Sequence, residues 1–332
     1  MENSTDSSAY TKYAAAGSMV TLGIAGYVPY ILFIITVLLT KDYRENAYYV
    51  LAAGLGVMDC GVALYFTIYV PLTIVSQSAP FGRSIDAIMG SFVLICWFAE
   101  FPIMISLAFN RYYCVCRKSD YTIIFTKRFA VAIIVSAYGL GVILGGCTSI
   151  PGCNFITYPE FNTVGYDVEF SCANIYSYVD LGLSLFTVGI SSLCNAVVFA
   201  KYKFMHKQIS DDASNDTSRE RIQRQREFKL FIQFFIIVTW FGFTNLMSVS
   251  APFIGISKGV GWFINMCVIV HSSINAWVYV GMNKILRHRM RDIILKNKGR
   301  SGTVFELGTS KNGPLSVKQD GGSRCNIVVK DY

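Results

Sequence analysis

Charged side chains are scarce in this sequence. They make up 15% of its 332 residues, against about 25% in an ordinary soluble domain. Histidine is scarcer still: His206, His271 and His288 are the only three, and no HxxxH spacing joins them. The ten cysteines form no CxxC pair. Structural zinc and di-iron sites draw on clustered ligands of those kinds, so the common plans for a membrane metalloenzyme are excluded. No GxxxxGK[ST], GxSxG or HExxH pattern occurs, which removes the usual P-loop, serine-hydrolase and zinc-protease signatures. The chain is not expected to be an enzyme.

Apolar residues are abundant instead, at 53%, with 14% aromatic. A membrane-spanning helix needs about 20 apolar residues in succession. Seven stretches meet that length: Tyr13–Thr40, Asn46–Gly82, Ala87–Asn110, Phe129–Pro159, Phe170–Ala200, Leu230–Ser257 and Gly259–Asn283. Only Asp59, Glu100 and Asp180 interrupt them with a carboxylate. Helices are predicted near 18–40, 47–74, 86–113, 129–150, 175–200, 229–253 and 260–281. The first stretch is too long for the apolar part of a signal peptide, lacks a basic leader and runs into Lys41 and Arg44, so it reads as a retained helix. The fold class is an all-α bundle of seven transmembrane helices.

Lys and Arg set the orientation, because basic loops stay on the cytoplasmic side. With the N-terminus outside, only Lys12, Arg83 and Lys258 of the 29 Lys and Arg lie on the outer face. The net charge of +8 therefore faces anionic membrane lipid and cytoplasmic partners, and no nucleic-acid partner is expected. Asn3 opens an Asn-Ser-Thr glycosylation sequon on the outer side. Asn215-Asp216-Thr217 matches the same pattern but falls in a cytoplasmic loop and should stay bare. That loop, Lys201–Glu227, mixes charges of both signs and cannot bury a core. Past the seventh span, residues 284–298 put Ile285, Ile293 and Ile294 on one face, flanked by Arg287, Arg291 and Lys298. This suits an amphipathic helix on the membrane surface. The expected organisation is an outer segment 1–17, a seven-helix domain 18–283, the surface helix 284–298 and a disordered cytoplasmic tail 299–332.

Four patterns narrow the function. Leu107-Ala108-Phe109-Asn110-Arg111-Tyr112-Tyr113 stands at the inner end of span three. Leu51-Ala52-Ala53 precedes Asp59 in span two, and Trp240 lies in an aromatic run in span six. Span seven ends Asn275-Ala276-Trp277-Val278-Tyr279, followed by Asn283 and Arg287. Together these resemble the rhodopsin-like G-protein-coupled receptors. The match is closer to nematode chemoreceptors of the serpentine receptor class X. It rests on Asn110-Arg111-Tyr112 followed by Tyr121, Ile124 and Phe125, on Gly152-Cys153-Asn154-Phe155 with Cys172, on Glu227–Gln233 entering span six, and on His271–Asn275 running through Asn283 to Arg287. The resemblance covers roughly residues 15 to 290; the neighbouring nematode classes T and Sx are the alternatives to class X.

The resemblance implies a plasma-membrane chemosensory receptor of a sensory neuron that takes a small-molecule ligand from outside and activates a heterotrimeric G protein. It implies that Asn110, Arg111, Tyr112 and Tyr279 form the coupling switch, with Glu227 a substitute partner for Arg111. An Arg at this depth can also simply snorkel to headgroups. By the same resemblance, Asp59 and Asn275 belong to a polar network that in related receptors can hold a sodium ion. Glu100, His271 and Ser272 are the other deep polar residues of spans three and seven. Two carboxylates so close should share a proton or be offset by a cation or by His271; a static hydrogen-bonded staple is the plainer alternative. No other cofactor is expected. Trp97, Trp240 and Asn265 are candidate pocket residues, with helix packing as the alternative. Asp180 faces either the pocket or, as the favoured reading, the water interface. Cys153 and Cys172 are expected to pair in the oxidising outer compartment, with Cys147 as a competitor.

Several positions depart from the resemblance. Asn110 replaces the usual acid, Ala276 replaces the Pro of the span-seven motif, and Gly242 stands where a Pro commonly follows the span-six Trp. No Cys lies near Asp86 at the top of span three, and span five contains no Pro. No Lys lies between Lys258 and Lys284, so retinal has no Schiff-base partner there. An ion- or solute-conducting channel or transporter is the alternative function. It predicts paired repeats with broken helices at matching positions, which the sequence does not show.

Overall fold

The computed structural model describes residues 3–167, 169–211, 231–248 and 257–299. Seven of its helices are long and apolar enough to cross a membrane: Thr11–Leu39, Ala47–Ser76, Arg83–Cys116, Lys127–Ser149, Ser171–Phe204, Phe231–Ser248 and Lys258–Met282. They are called spans one to seven below. An odd number of crossings puts the two ends of the bundle's chain on opposite faces. The first helix begins at Asn3, well before the predicted start near residue 18. A final helix, Lys284–Gly299, follows span seven after Asn283, whose side chain accepts from Leu286 N at 3.0 Å. The loop around Glu227, the segment 249–256 and the tail beyond Gly299 lie outside the described residues.

Lipid offers no hydrophobic drive for one apolar helix to join another. Association rests on close packing and on polar contacts between helices. Span four shows the first device. A Cβ at Gly141 or Gly145 would run into the span-three backbone at Ile95, so these two glycines let the helices touch along their backbones. Span two shows a different one. Its path is an α-helix to Leu64, a π-turn over Tyr65–Tyr69 and a second α-helix from Val70, with Pro71 just inside it. A wider turn ahead of a proline accommodates the missing N–H. It leaves Tyr65 and Tyr69 stacked at 5.4 Å between ring centres, both buried.

The bundle core draws mostly on spans one, two, three, six and seven, with Ala130 and Ala137 from span four and Cys194 from span five. Tyr30, Phe33, Leu51, Phe98, Met104, Phe241 and Tyr279 are among its buried members. Among the described residues, one pair of strands stands outside the helices. Phe155–Tyr158 and Thr163–Tyr166 form an antiparallel hairpin, β1 and β2, pairing Phe155 with Tyr166 and Tyr158 with Thr163. Asn162 closes its turn with φ +51°, a left-handed conformation that Asn tolerates well. The all-α expectation does not include these strands.

Candidate functional site

Three layers of polar side chains lie along the bundle. The innermost is Arg111, near the cytoplasmic end of span three and 7% exposed. Its guanidinium carbon sits 3.6 Å above the Tyr48 ring, a cation–π contact. Tyr48 in turn meets Tyr279 edge-on at 6.2 Å, and Tyr279 stacks on Phe33 at 5.0 Å. The Arg111 Nε and Nη2 atoms carry no hydrogen bond. Asn110 does not hold its neighbour; its Nδ2 donates to the Tyr121 hydroxyl at 3.4 Å, in the second inner loop. Tyr112 turns toward span five, packing against the cluster of Val115, Val198 and Phe231. Arg111 and Tyr279 thus share one aromatic cage, and Asn110 and Tyr112 point elsewhere.

The middle layer holds the buried carboxylates. Asp59 is fully buried. Its Oδ2 accepts from Asn275 Nδ2 at 2.9 Å and from the Tyr30 hydroxyl. Glu100 Oε2 lies 3.2 Å from His271 Nε2, each residue 1% exposed. One donor atom from each of Asp59, Glu100 and His271 falls within 4.8 Å of the others. Tyr30, from span one, was not anticipated from the sequence. Ser272 does not join: its hydroxyl donates to Val268 O, one turn back on its own helix.

Unused bonding capacity remains in this layer. Asp59 Oδ1, Glu100 Oε1 and Asn275 Oδ1 are buried acceptors without a donor. A buried acceptor left unsatisfied costs about 1–3 kcal/mol. With a carboxylate oxygen of Asp59 and one of Glu100 within 4.8 Å of each other and of a His271 nitrogen, and these acceptors unspent, the residues fit a small cation such as sodium, or a shared proton.

The outer layer corrects two expectations. Asp180 faces inward, not toward the water interface. Its Oδ1 accepts from Trp97 Nε1 at 2.9 Å, and its Oδ2 from the Tyr166 hydroxyl at 3.3 Å. Burial, and then the Asp180 carboxylate, push the Tyr166 hydroxyl well above its ordinary pKa, so it stays a donor at any physiological pH. Trp240 does not face the bundle centre. Its Nε1 donates to Cys267 O at 3.2 Å, on the seam between spans six and seven. The next residue, Phe241, takes the central place, 5.8 Å from the Trp97 ring, 6.0 Å from Phe101 and 5.0 Å from His271. With no structure, a one-residue choice of helix face could not be settled. Asn265 is buried and donates from Nδ2 to Asn162 O at 2.8 Å, so it holds the hairpin turn.

The hairpin roofs this layer. Cys153 and Cys172 are bonded to each other at its base, with Cα atoms 4.8 Å apart, and Cys147 is free. Arg83 pairs with Asp167 at 2.8 Å beside the strand end. Outside the roofed space, a cavity of about 320 Å³ opens between spans five and six, lined by Asn195, Phe199, Phe231 and Phe235 among others. None of the candidate pocket residues lines that cavity.

Comparison with known proteins fits this geometry. The model of the family described as serpentine type 7TM GPCR chemoreceptor Srx matches residues 20–283, well over half of the chain. The human olfactory receptor 4K17 is 22% identical over 216 residues, covering 62% of this chain and 67% of that receptor. The bovine prostaglandin E2 receptor EP4 subtype is 22% identical over 182 residues, 54% of this chain and 37% of that receptor. The chain thus spans about two thirds of one relative and little over a third of the other. Among solved structures, squid rhodopsin superposes with a TM-score of 0.73 at 14% identity, covering 89% of each chain. At that identity the likeness is one of fold.

Proposed function

The chain belongs to the serpentine 7TM chemoreceptor family Srx, and from that premise we propose that it sits in the plasma membrane of a sensory neuron, binds a small extracellular molecule and activates a heterotrimeric G protein through Arg111. The chain carries out no catalytic step in this reading. The observation that carries it is the state of Arg111. A cation is held at the inner mouth of the bundle by an aromatic ring, with two guanidinium nitrogens unspent. Among the described residues no carboxylate locks it: Asn110 stands where the acid would be and bonds Tyr121, and Glu227 lies outside those residues. Cation–π contacts contribute about 0.5–2 kcal/mol, less than a buried ion pair resists when one partner is removed. Release of Arg111 toward a cytoplasmic partner therefore needs a modest change in the Tyr48–Tyr279 cage.

The middle layer links that cage to the outside. Tyr30 joins Asp59 to span one, Asn275 joins it to span seven, and the Glu100–His271 pair joins span three to span seven. A sodium ion or a proton held among Asp59, Glu100 and Asn275 would favour one arrangement of these helices over another, which is the requirement for any ligand-linked switch. The cation supplies charge neutralisation in low dielectric; the protein residues supply the oxygens and the hinge between helices.

Expression of the chain in cells with a second-messenger reporter, screened against a panel of volatile and water-soluble small molecules, tests the reading. A dose-dependent messenger response without membrane current supports it. A ligand-evoked current with no messenger response would replace it with the channel reading.

A further inference from the structure

The outer hairpin is joined to the bundle without any covalent bond to span three. Both loop cysteines are spent on each other, and span three has no cysteine before Cys96. The middle of the hairpin is held by a carboxylate instead. Asp86, in the first turn of span three, is 3% exposed. Its Oδ2 accepts from Thr157 N at 3.0 Å, and its Oδ1 accepts from Thr157 Oγ1 at 2.9 Å and from the Tyr69 hydroxyl at 3.0 Å. One side chain thereby ties span three to strand β1 and to the far side of span two.

The seat beneath the hairpin is shaped to match. Gly90 lies one turn below Asp86, and a Cβ there would meet Phe155 O. On the opposite side, a Cβ at Gly261 would meet Phe161 O. One turn below Gly261, Asn265 donates to Asn162 O. Each of spans three and seven therefore presents a glycine and a polar residue four apart, which share a helix face. The glycine admits the hairpin backbone and the polar residue holds it. The Thr157 N–H bonded to Asp86 belongs to a two-stranded ribbon's edge, where unpaired N–H groups otherwise need water.

We propose that Asp86 is a clasp: a positioning residue that seats the Phe155–Tyr166 hairpin as a lid over the outer bundle by hydrogen bonds that can open and reclose. A disulfide at this place would hold the lid shut; a carboxylate with three donors lets it lift. The consequence, that ligand entry passes through lid opening, rests on the receptor reading. The clasp itself does not.

Hydrogen exchange read by mass spectrometry on the purified full chain in lipid nanodiscs, with no ligand and no G protein, tests it. In Asp86→Ala, the amides of Phe155–Tyr166 should exchange at least tenfold faster than in the unaltered chain. Span-three amides near residues 95–110 should be unchanged, and Cys153–Cys172 should stay bonded. The double variant Asp86→Cys with Thr157→Cys, once oxidised, should restore protection and exchange more slowly than the unaltered chain, because a covalent tether cannot lift. If Asp86→Ala does not fold, Tyr69→Phe and Thr157→Val each remove one donor and should loosen the hairpin by smaller factors. Hairpin exchange unchanged in these variants overturns the clasp, as does an equal rise across all seven spans. An oxidised double variant no slower than the unaltered chain overturns the opening. Any of these failures leaves the receptor reading standing, since no signalling is measured.

Discussion

Arg111 is buried beside Tyr48, and its charge does not depend on pH in the physiological range. What can change is its surroundings. Arg111→Ala should cut ligand-evoked signalling roughly tenfold or more while leaving surface expression intact, read by paired messenger and surface-label assays. Asn110→Asp would put a carboxylate on the residue before Arg111, able to reach the guanidinium by leaving Tyr121, and charge-assisted bonds are roughly twice as strong as neutral ones. Ligand-independent signalling should fall in that variant. In the middle layer, Glu100→Gln keeps the shape and removes a charge. Potency in the unaltered chain should vary with sodium or with pH between about 5.5 and 8, and this variant should change that dependence. Identical curves for both proteins would reduce the cluster to a staple.

These residues were not equally legible. A carboxylate in an apolar run is rare enough to be noticed, so Asp59 and Glu100 stood out before any fold was known. Tyr30 did not, because it is one of 20 tyrosines and lies 29 positions from the carboxylate it serves. Its rotation toward Asp59 is a tertiary fact. Asp180 was misjudged for a related reason. Its distance from the helix end is readable, but whether that face meets water or Trp97 depends on how span five is rotated.

At the scale of elements, the seven spans were legible because length and hydropathy act locally: a lipid-facing helix must satisfy its own backbone and be apolar along its length. The hairpin was not. Its strands are four residues each, too short for an alternation pattern to register, and its seat depends on Gly90 and Gly261, two unremarkable glycines among 27. Gly90→Ala should lift the hairpin at Phe155 and raise its exchange; the helix itself should gain slightly, by about 0.5–1 kcal/mol. A rise confined to the hairpin would locate the effect in the contact, and an unchanged hairpin would count against it. In span one, Tyr30→Phe removes one of the two donors to Asp59 Oδ2 and leaves Asn275 as the other. It should destabilise the bundle by about 0.5–1.5 kcal/mol, measured as a lower unfolding midpoint in detergent.

For the whole molecule, the charge skew and the helix order make one statement about orientation. A tag at the N-terminus should label on intact cells and one at the C-terminus only after permeabilisation; surface labelling of the C-terminus would contradict the basic-loop argument. The fold is shared with rhodopsin at 14% identity, which shows how little of a seven-helix bundle is fixed by particular residues. In the proposed reading, function rests more narrowly on the three polar layers and on what reaches Arg111. The most direct measurement is nucleotide exchange on purified heterotrimeric G protein, driven by the purified chain with an active compound from the screen. The account predicts ligand-dependent exchange with the unaltered chain and little or none with Arg111→Ala that is equally folded. Exchange unchanged in Arg111→Ala, or a ligand response with no exchange on any G-protein class, would contradict it.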